Sequence, residues 1–222
     1  MAVWLNKLAR WKWNPALFPR DAPLQKLRYV VLDTELTSLD RRSKRLVSLG
    51  AIAMDGASIR LGEQLYRVIN PGVAVPAETI VIHGLRPADV CAGQSLREAV
   101  QELERFAAAA VLVGHFLHID LEALRKELSG ASGALDNPAI DTARLQQWLD
   151  HRRWGYEEDR GHQVERLDLA SLAERHGLMV REAHHALEDA FLTAQLWQRL
   201  LYSLERTGVK TLGKLMRIGR AS

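Results

Sequence analysis

Tyr29-Val30-Val31-Leu32-Asp33-Thr34-Glu35-Leu36-Thr37 sets an apolar run rich in β-branched side chains directly before two carboxylates that stand two residues apart. The run predicts a buried strand that ends in chemistry. Residues i and i+2 of a strand share a face, so Asp33 and Glu35 point the same way from the edge of a core. Two like charges there repel unless a cation lies between them, and hard oxygen ligands at this spacing suit Mg²⁺ or Mn²⁺. The ordinary alternative is a pair of surface carboxylates in the loop that follows the strand.

Outward from this stretch, residues 45–54 resume as a mostly apolar strand, Asp55-Gly56 signals a hairpin, and 57–69 alternate up to Asn70-Pro71-Gly72. An antiparallel meander of three strands is the economical reading. Residues 76–90 read as loop and short helix around Ile82-His83-Gly84-Leu85. Ser95 and Glu98 make a capping box that opens a helix toward Ala110. Val111-Leu112-Val113-Gly114-His115 is a short strand, followed by a helix whose leucines repeat at three and four through 119–128. After a Gly/Ser/Ala linker at 129–134 come a strand at Ala139-Ile140-Asp141-Thr142 and a helix at 145–149. Residues 152–165 are polar. A helix over 167–176 stops at Gly177, and 186–204 form a long helix with Leu187, Ala190, Phe191, Ala194, Trp197 and Leu201 on its apolar side. Strands first, then alternating strands and helices, predict an α/β fold with a mixed five-stranded sheet flanked by helices.

A chain of 222 residues fits one domain of ordinary size. A single cysteine, Cys91, excludes an internal disulfide, and no stretch reads as a signal peptide or membrane span, so the cytoplasm is the expected compartment. The formal charge of +3 and pI near 9.2 permit a polyanionic partner. Residues 1–28 hold Lys7, Arg10, Lys12, Arg20, Lys26 and Arg28 against Asp21, with Trp4, Leu8 and Trp11 at helical spacing. That predicts a basic amphipathic helix, folded back on its own domain or lying on a partner, a membrane surface or nucleic acid, then a connector marked by Pro15, Pro19 and Pro23.

Asp120, Asp141 and Asp189 follow strands or open helices. Each has a structural explanation: Asp120 through the helix dipole, Asp141 as a cap, Asp189 as a solvated helix residue. Carboxylates gathered at neighbouring strand ends would instead need metal or protons. His184 and His185 supply an imidazole near Asp189, and an imidazole can take a proton from water near neutral pH. If the helix includes both, His185 shares a face with Asp189; if it begins after them, His184 approaches from a loop.

The ordered set Asp33-Thr34-Glu35, Gly114-His115 through Asp120, and His184 through Asp189 resembles the DEDD superfamily of 3′-to-5′ exonucleases. Within it, the set resembles the histidine branch that includes the proofreading subunit of bacterial replicative DNA polymerase and ribonuclease T. Ile82-His83-Gly84-Leu85 and Ile140-Asp141-Thr142 fall between the main motifs in the same order. The resemblance implies a ribonuclease H-like sheet with its second strand antiparallel to its neighbours. It also implies an exonuclease domain over 28–206, between the basic segment 1–27 and a basic tail at 207–222. Asp33, Glu35, Asp120 and Asp189 would hold two divalent metal ions, Mg²⁺ or Mn²⁺, and His184, five residues before the last aspartate, would be the general base. Such a pair of ions clamps a scissile phosphate and lowers the pKa of the attacking water. Thr34, Leu36, Thr37, His83 and Leu85 would contact the terminal nucleotide of a single-stranded partner, DNA before RNA, and Phe116 either stacks on a base or belongs to the core.

The chain departs from the family pattern where Phe116 replaces a common asparagine, Ile119 a common phenylalanine, Ser38 a frequent glycine and His185 a frequent arginine or asparagine. These touch substrate preference, not the ligand set. An exoribonuclease of the same family and a noncatalytic nucleic-acid-binding module are the competing expectations. The second must explain why four carboxylates and a histidine are kept.

Overall fold

The apolar run opening at Tyr29 forms the middle strand of the sheet. In the computed structural model, which describes residues 14–38, 44–127, 135, 137–154, 166–180 and 184–221, β1 (Arg28–Leu36) pairs antiparallel with β2 (Leu46–Asp55). Strand β2 in turn pairs antiparallel with β3 (Ser58–Val68). Asp55-Gly56 makes the turn between them, with Gly56 at φ +55°. On its other side β1 runs parallel to β4 (Val111–Gly114), and β4 parallel to β5 (Ala139–Asp141). The order β3-β2-β1-β4-β5 is the expected mixed five-stranded sheet, meander first. Because β2 lies between two strands and under helices, every residue of it except Asp55 is buried.

Helices cover both faces. The crossover from β3 to β4 contains α1 (Ala77–His83), α2 (Pro87–Cys91) and α3 (Leu96–Phe106). Helix α3 begins at the expected capping box, Ser95 Oγ accepting from Glu98 N at 3.3 Å. α4 (His118–Glu127) follows β4, and α5 (Thr142–Trp154) starts directly from β5, earlier and longer than its leucines alone suggested. α6 (Leu169–Arg175) ends before Gly177, which sits at φ +68° as a helix stop requires. α7 (Ala186–Arg206) crosses the sheet.

Alternate side chains of β1 divide the core. Tyr29 and Val31 join Ile52, Met54, Val113, Trp197 and Leu200 under α7. Val30 and Leu32 join Leu49, Ala51, Leu103, Leu121 and Leu124 under α3 and α4. The Tyr29 and Trp197 rings meet edge to face at 5.2 Å, and the Tyr29 hydroxyl donates to Leu24 O at 2.9 Å. Complete burial of each such side chain is worth roughly 1.5–3 kcal/mol.

The two chain ends stand differently against expectation. Residues 1–13, which carry the predicted basic helix, lie outside the described residues, as do the linker at 129–134 and positions 155–165. Residues 207–222, read as a tail, contain α8 (Leu212–Gly219), whose Leu212 and Leu215 are fully buried. Leucines three apart on one face bury together where isolated basic residues between them obscure the pattern. No helix among the described residues is long and apolar enough to cross a membrane.

Candidate active site

The strand parity that splits the core also builds the site. Asp33 and Glu35 continue the Tyr29-Val31 face past the end of the apolar run, on the side of α7. Thr34 continues the Val30-Leu32 face toward α4. Both carboxylates remain inside β1, opposite Gly50 and Ser48 of β2, and the register shifts between Glu35 and Leu36. Asp189 comes from the first turn of α7 and Asp120 from the first turn of α4, one from each side of the sheet. Thr34 Oγ1 donates to Asp120 Oδ1 at 2.5 Å, joining the strand end to α4. Lys44, buried at the entry to β2, reaches Glu122 Oε2 at 3.3 Å and Ile119 O at 3.4 Å, a second tie to the same helix start.

Gly50 brings α7 close enough. A β-carbon at Gly50 would fall 2.3 Å from the backbone of Ala186 and Leu187. The first turn of α7 therefore rests on bare strand backbone beside Asp33. Replacing Gly50 by Ala is expected to cost about 1–3 kcal/mol or more. Displacing Asp189 by as little as an ångström should also lower turnover roughly a hundredfold. Gly62→Ala on β3, where nothing lies within 4 Å, is the neutral control. Thermal melts and single-turnover rates of the two variants make the comparison.

The helix begins after both histidines. His185 is its N-cap, and its ring turns away to stack on Tyr66 of β3 at 4.6 Å and 24°. His184 lies before it at φ +74°, a conformation uncommon for a residue with a side chain, and its N–H donates to Asp189 Oδ2 at 2.9 Å. Ligand atoms of Glu35, His184 and Asp189 come within 4.8 Å of one another.

The electrostatics follow from crowding. Desolvation, with Asp120, Asp189 and Glu35 close by, pushes the Asp33 carboxyl well above the usual range. Burial and the same neighbours raise Glu35 to about 7. Burial raises Asp120 to about 7 against the bond from Thr34, and burial raises Asp189 as well. Four carboxylates so placed stay ionised together only with cations among them, and an all-oxygen carboxylate set fits hard divalent ions.

These residues line a cleft of about 420 Å³, together with Thr34, Leu36, Ser38, Thr79, His83, His115, Phe116 and Ile119. Of the nucleotide-contact candidates, Thr34, Leu36, His83 and Phe116 are therefore at the cleft, while Thr37 and Leu85 do not line it. Thr37 is buried, its hydroxyl accepting from Arg45 N at 3.0 Å, and Leu85 N donates to His83 Nδ1 at 3.1 Å. Phe116, at φ +49°, stands edge-on to His115 at 4.6 Å instead of entering either core cluster. Ser38, Thr79, His115 and Ile119 were not among the nucleotide-contact candidates, though Ser38 and Ile119 stand at departures from the family pattern and His115 in one of its motifs. Thr79 is legible only once α1 is known to be a helix, four residues before His83 on the same face.

His115 has a structural task. Its ring nitrogens meet Thr142 Oγ1 at 2.9 Å and Leu167 O at 2.7 Å, and burial lowers its pKa. Asp141 is outside the cleft and caps α5, accepting from Ala143 N at 3.0 Å.

Residues 30–197 match the RNase_T family, described as exonuclease. Among similar proteins is a DNA polymerase III subunit epsilon-like protein of Rhodobacter capsulatus, 33% identical over 88% of this chain and 27% of that protein. Another is the DNA polymerase III subunit epsilon of Aquifex aeolicus, 25% identical over 79% of this chain and 81% of that one. The chain thus spans about a quarter of the first relative's length and most of the second's. Escherichia coli exonuclease I in complex with a dT13 oligonucleotide superposes with a TM-score of 0.67 at 15% identity, over 82% of this chain and 43% of that one. Exonuclease X in complex with 5′-overhanging duplex DNA gives 0.61 at 18% identity, over 86% and 98%. At these identities the likeness to solved structures is one of fold.

Proposed function

The chain belongs to the RNase_T exonuclease family, and from that premise we propose that it is a metal-dependent 3′-to-5′ exonuclease that releases nucleoside 5′-monophosphates from single-stranded DNA. The observation that carries this reading is the convergence of Asp33, Glu35, Asp120 and Asp189 in one cleft, where crowding raises their pKa values. A module that only bound nucleic acid would gain nothing from that repulsion. Bound Mg²⁺ or Mn²⁺, held by these four residues, would activate a water and neutralise charge on the scissile phosphate.

The chain's own groups do the rest. His184, exposed at the mouth of the cleft, takes the proton of the attacking water and passes it to solvent. Its backbone bond to Asp189 keeps the imidazole beside the carboxylates. Leu36 and Phe116 offer apolar surfaces to the terminal base, as single-strand binders do. His83 accepts from Leu85 N through Nδ1, so the proton of its neutral ring is on Nε2, which is buried and unpartnered beside the cleft.

The decisive experiment is digestion of a 5′-labelled DNA strand and the matching RNA with Mg²⁺, with Mn²⁺ and with EDTA, beside Asp33→Ala. A ladder shortening from the 3′ end of DNA, absent in EDTA and in the variant, is the expected result. Preferential shortening of RNA would reassign the sugar, and no shortening with either metal would leave the binding-module reading.

A further inference from the structure

The described lining of the cleft offers a polyanionic strand no side-chain cation. Among the described residues that line it are four carboxylates and no lysine or arginine, whereas affinity for a polyanionic strand comes mainly from cations set against phosphates. One group of exposed cations stands at the other end of α7, among others spread over the surface.

Lys26, Arg206, Lys210, Lys214 and Arg217 are all exposed there. Two chain segments are tied together to present them. Leu24 N donates to Lys210 O at 3.1 Å, Pro23 bridges Thr211, and Lys214 Nζ reaches Gly208 O at 3.0 Å. Because Leu212 and Leu215 face the core, Lys214 and Arg217 share the outward side of α8. The acids nearby in sequence are Asp21 and Glu205, while Asp55 at the adjoining hairpin is engaged by Arg28 at 3.7 Å and Arg60 at 3.5 Å. Tyr202, 63% exposed, precedes Arg206 by one turn, and the guanidinium lies 5.7 Å from its ring centre. Cations beside an exposed aromatic ring are what a single strand uses for phosphates and for base stacking.

We propose that this surface, formed by Lys26, Tyr202, Arg206, Lys210, Lys214 and Arg217, holds the nucleic-acid strand behind the 3′ end that occupies the cleft. The proposal rests on the exonuclease reading above. From Asp189 to Arg206, α7 spans about 25 Å at 1.5 Å per residue. At about 3.4 Å per nucleotide a strand needs on the order of seven nucleotides to cover that span. A strand of twenty reaches the surface, and a strand of four fills the cleft alone. Nucleic acid is favoured over an acidic protein because the molecule delivered to the cleft itself carries the complementary charge within reach.

The test compares the wild type with Lys210→Glu/Lys214→Glu/Arg217→Glu and with the corresponding Gln triple variant, in case charge reversal disturbs folding. Substrates are a 20-mer and a 4-mer with the same 3′ sequence. With Mg²⁺ at low salt, KM for the 20-mer should rise about tenfold or more in both variants, with kcat and all 4-mer kinetics unchanged. Fluorescence anisotropy of the 20-mer in EDTA should show the slope of log affinity against log salt falling by about 2 in the Gln variant, at roughly 0.7 per lost contact. Equal losses for both lengths, or no loss for either, overturn the proposal, and the second outcome leaves the surface to an acidic protein. If the wild type digests neither strand, the exonuclease reading fails, while the anisotropy measurement still decides the surface.

Discussion

Asp33→Asn should abolish strand shortening while raising the melting temperature of the metal-free protein at pH 8 by a few degrees. The loss follows from removing a carboxylate at the centre of the cluster. Several kcal/mol of transition-state charge stabilisation correspond to about a thousandfold in rate at 1.36 kcal/mol per tenfold. The gain in stability follows from the same crowding, since Asp33 carries a strongly raised pKa through desolvation and its neighbours Asp120, Asp189 and Glu35.

The sign can be checked through linkage. Glu35 and Asp120, ordinarily at 4.5 and 3.8, are raised to about 7 in the folded protein. The native state therefore binds more protons than the unfolded chain between about pH 4 and pH 7, and stability falls as pH rises through that window. Metal-free wild type is expected to lose melting temperature from pH 4 to pH 8 beyond what Asp33→Asn loses, and saturating Mg²⁺ should flatten the wild-type curve. Denaturation scans across this range measure both. A variant less stable than wild type at pH 8 without metal would mean that the carboxylates are not repelling one another.

His184→Ala is the second large effect. A positioned general base contributes about 10²–10⁴ in rate, so kcat should fall by that order while the metal concentration needed for half-maximal activity changes little. His185→Ala should do less, because the His185 ring stacks on Tyr66, while it is His184 whose ligand atom comes within 4.8 Å of those of Glu35 and Asp189. Its effect should appear as lower stability with a modest loss of rate. Single-turnover rates for both variants, titrated with Mg²⁺, separate the two histidines. A larger kinetic defect for His185→Ala would exchange their roles.

Much of this architecture was legible along the chain because it depends on local periodicity. The meander was readable from alternation and the Asp55-Gly56 turn, the α3 start from Ser95 and Glu98, and the α6 stop from Gly177. Asp33 and Glu35 could be placed on one face from strand period alone. That residues 207–222 hold a helix was not legible, because the burial of Leu212 and Leu215 depends on partners distant in sequence.

Four things were left to tertiary structure. Which histidine faces the carboxylates depended on where α7 begins, and that start lies against Gly50, 136 residues earlier. The bond from Thr34 to Asp120 spans 86 positions. The separation of Thr37 and Leu85 from the cleft, and the gathering of Lys26 with Lys210 and Lys214, likewise depend on strand pairing and on segments meeting far apart in the chain. Sequence by itself determined which residues could carry the chemistry and on which face of each element they lie, since backbone period is a local property. Only the packed sheet decided which of them meet, because closing long loops is driven by burial of the core and not by the residues of the site.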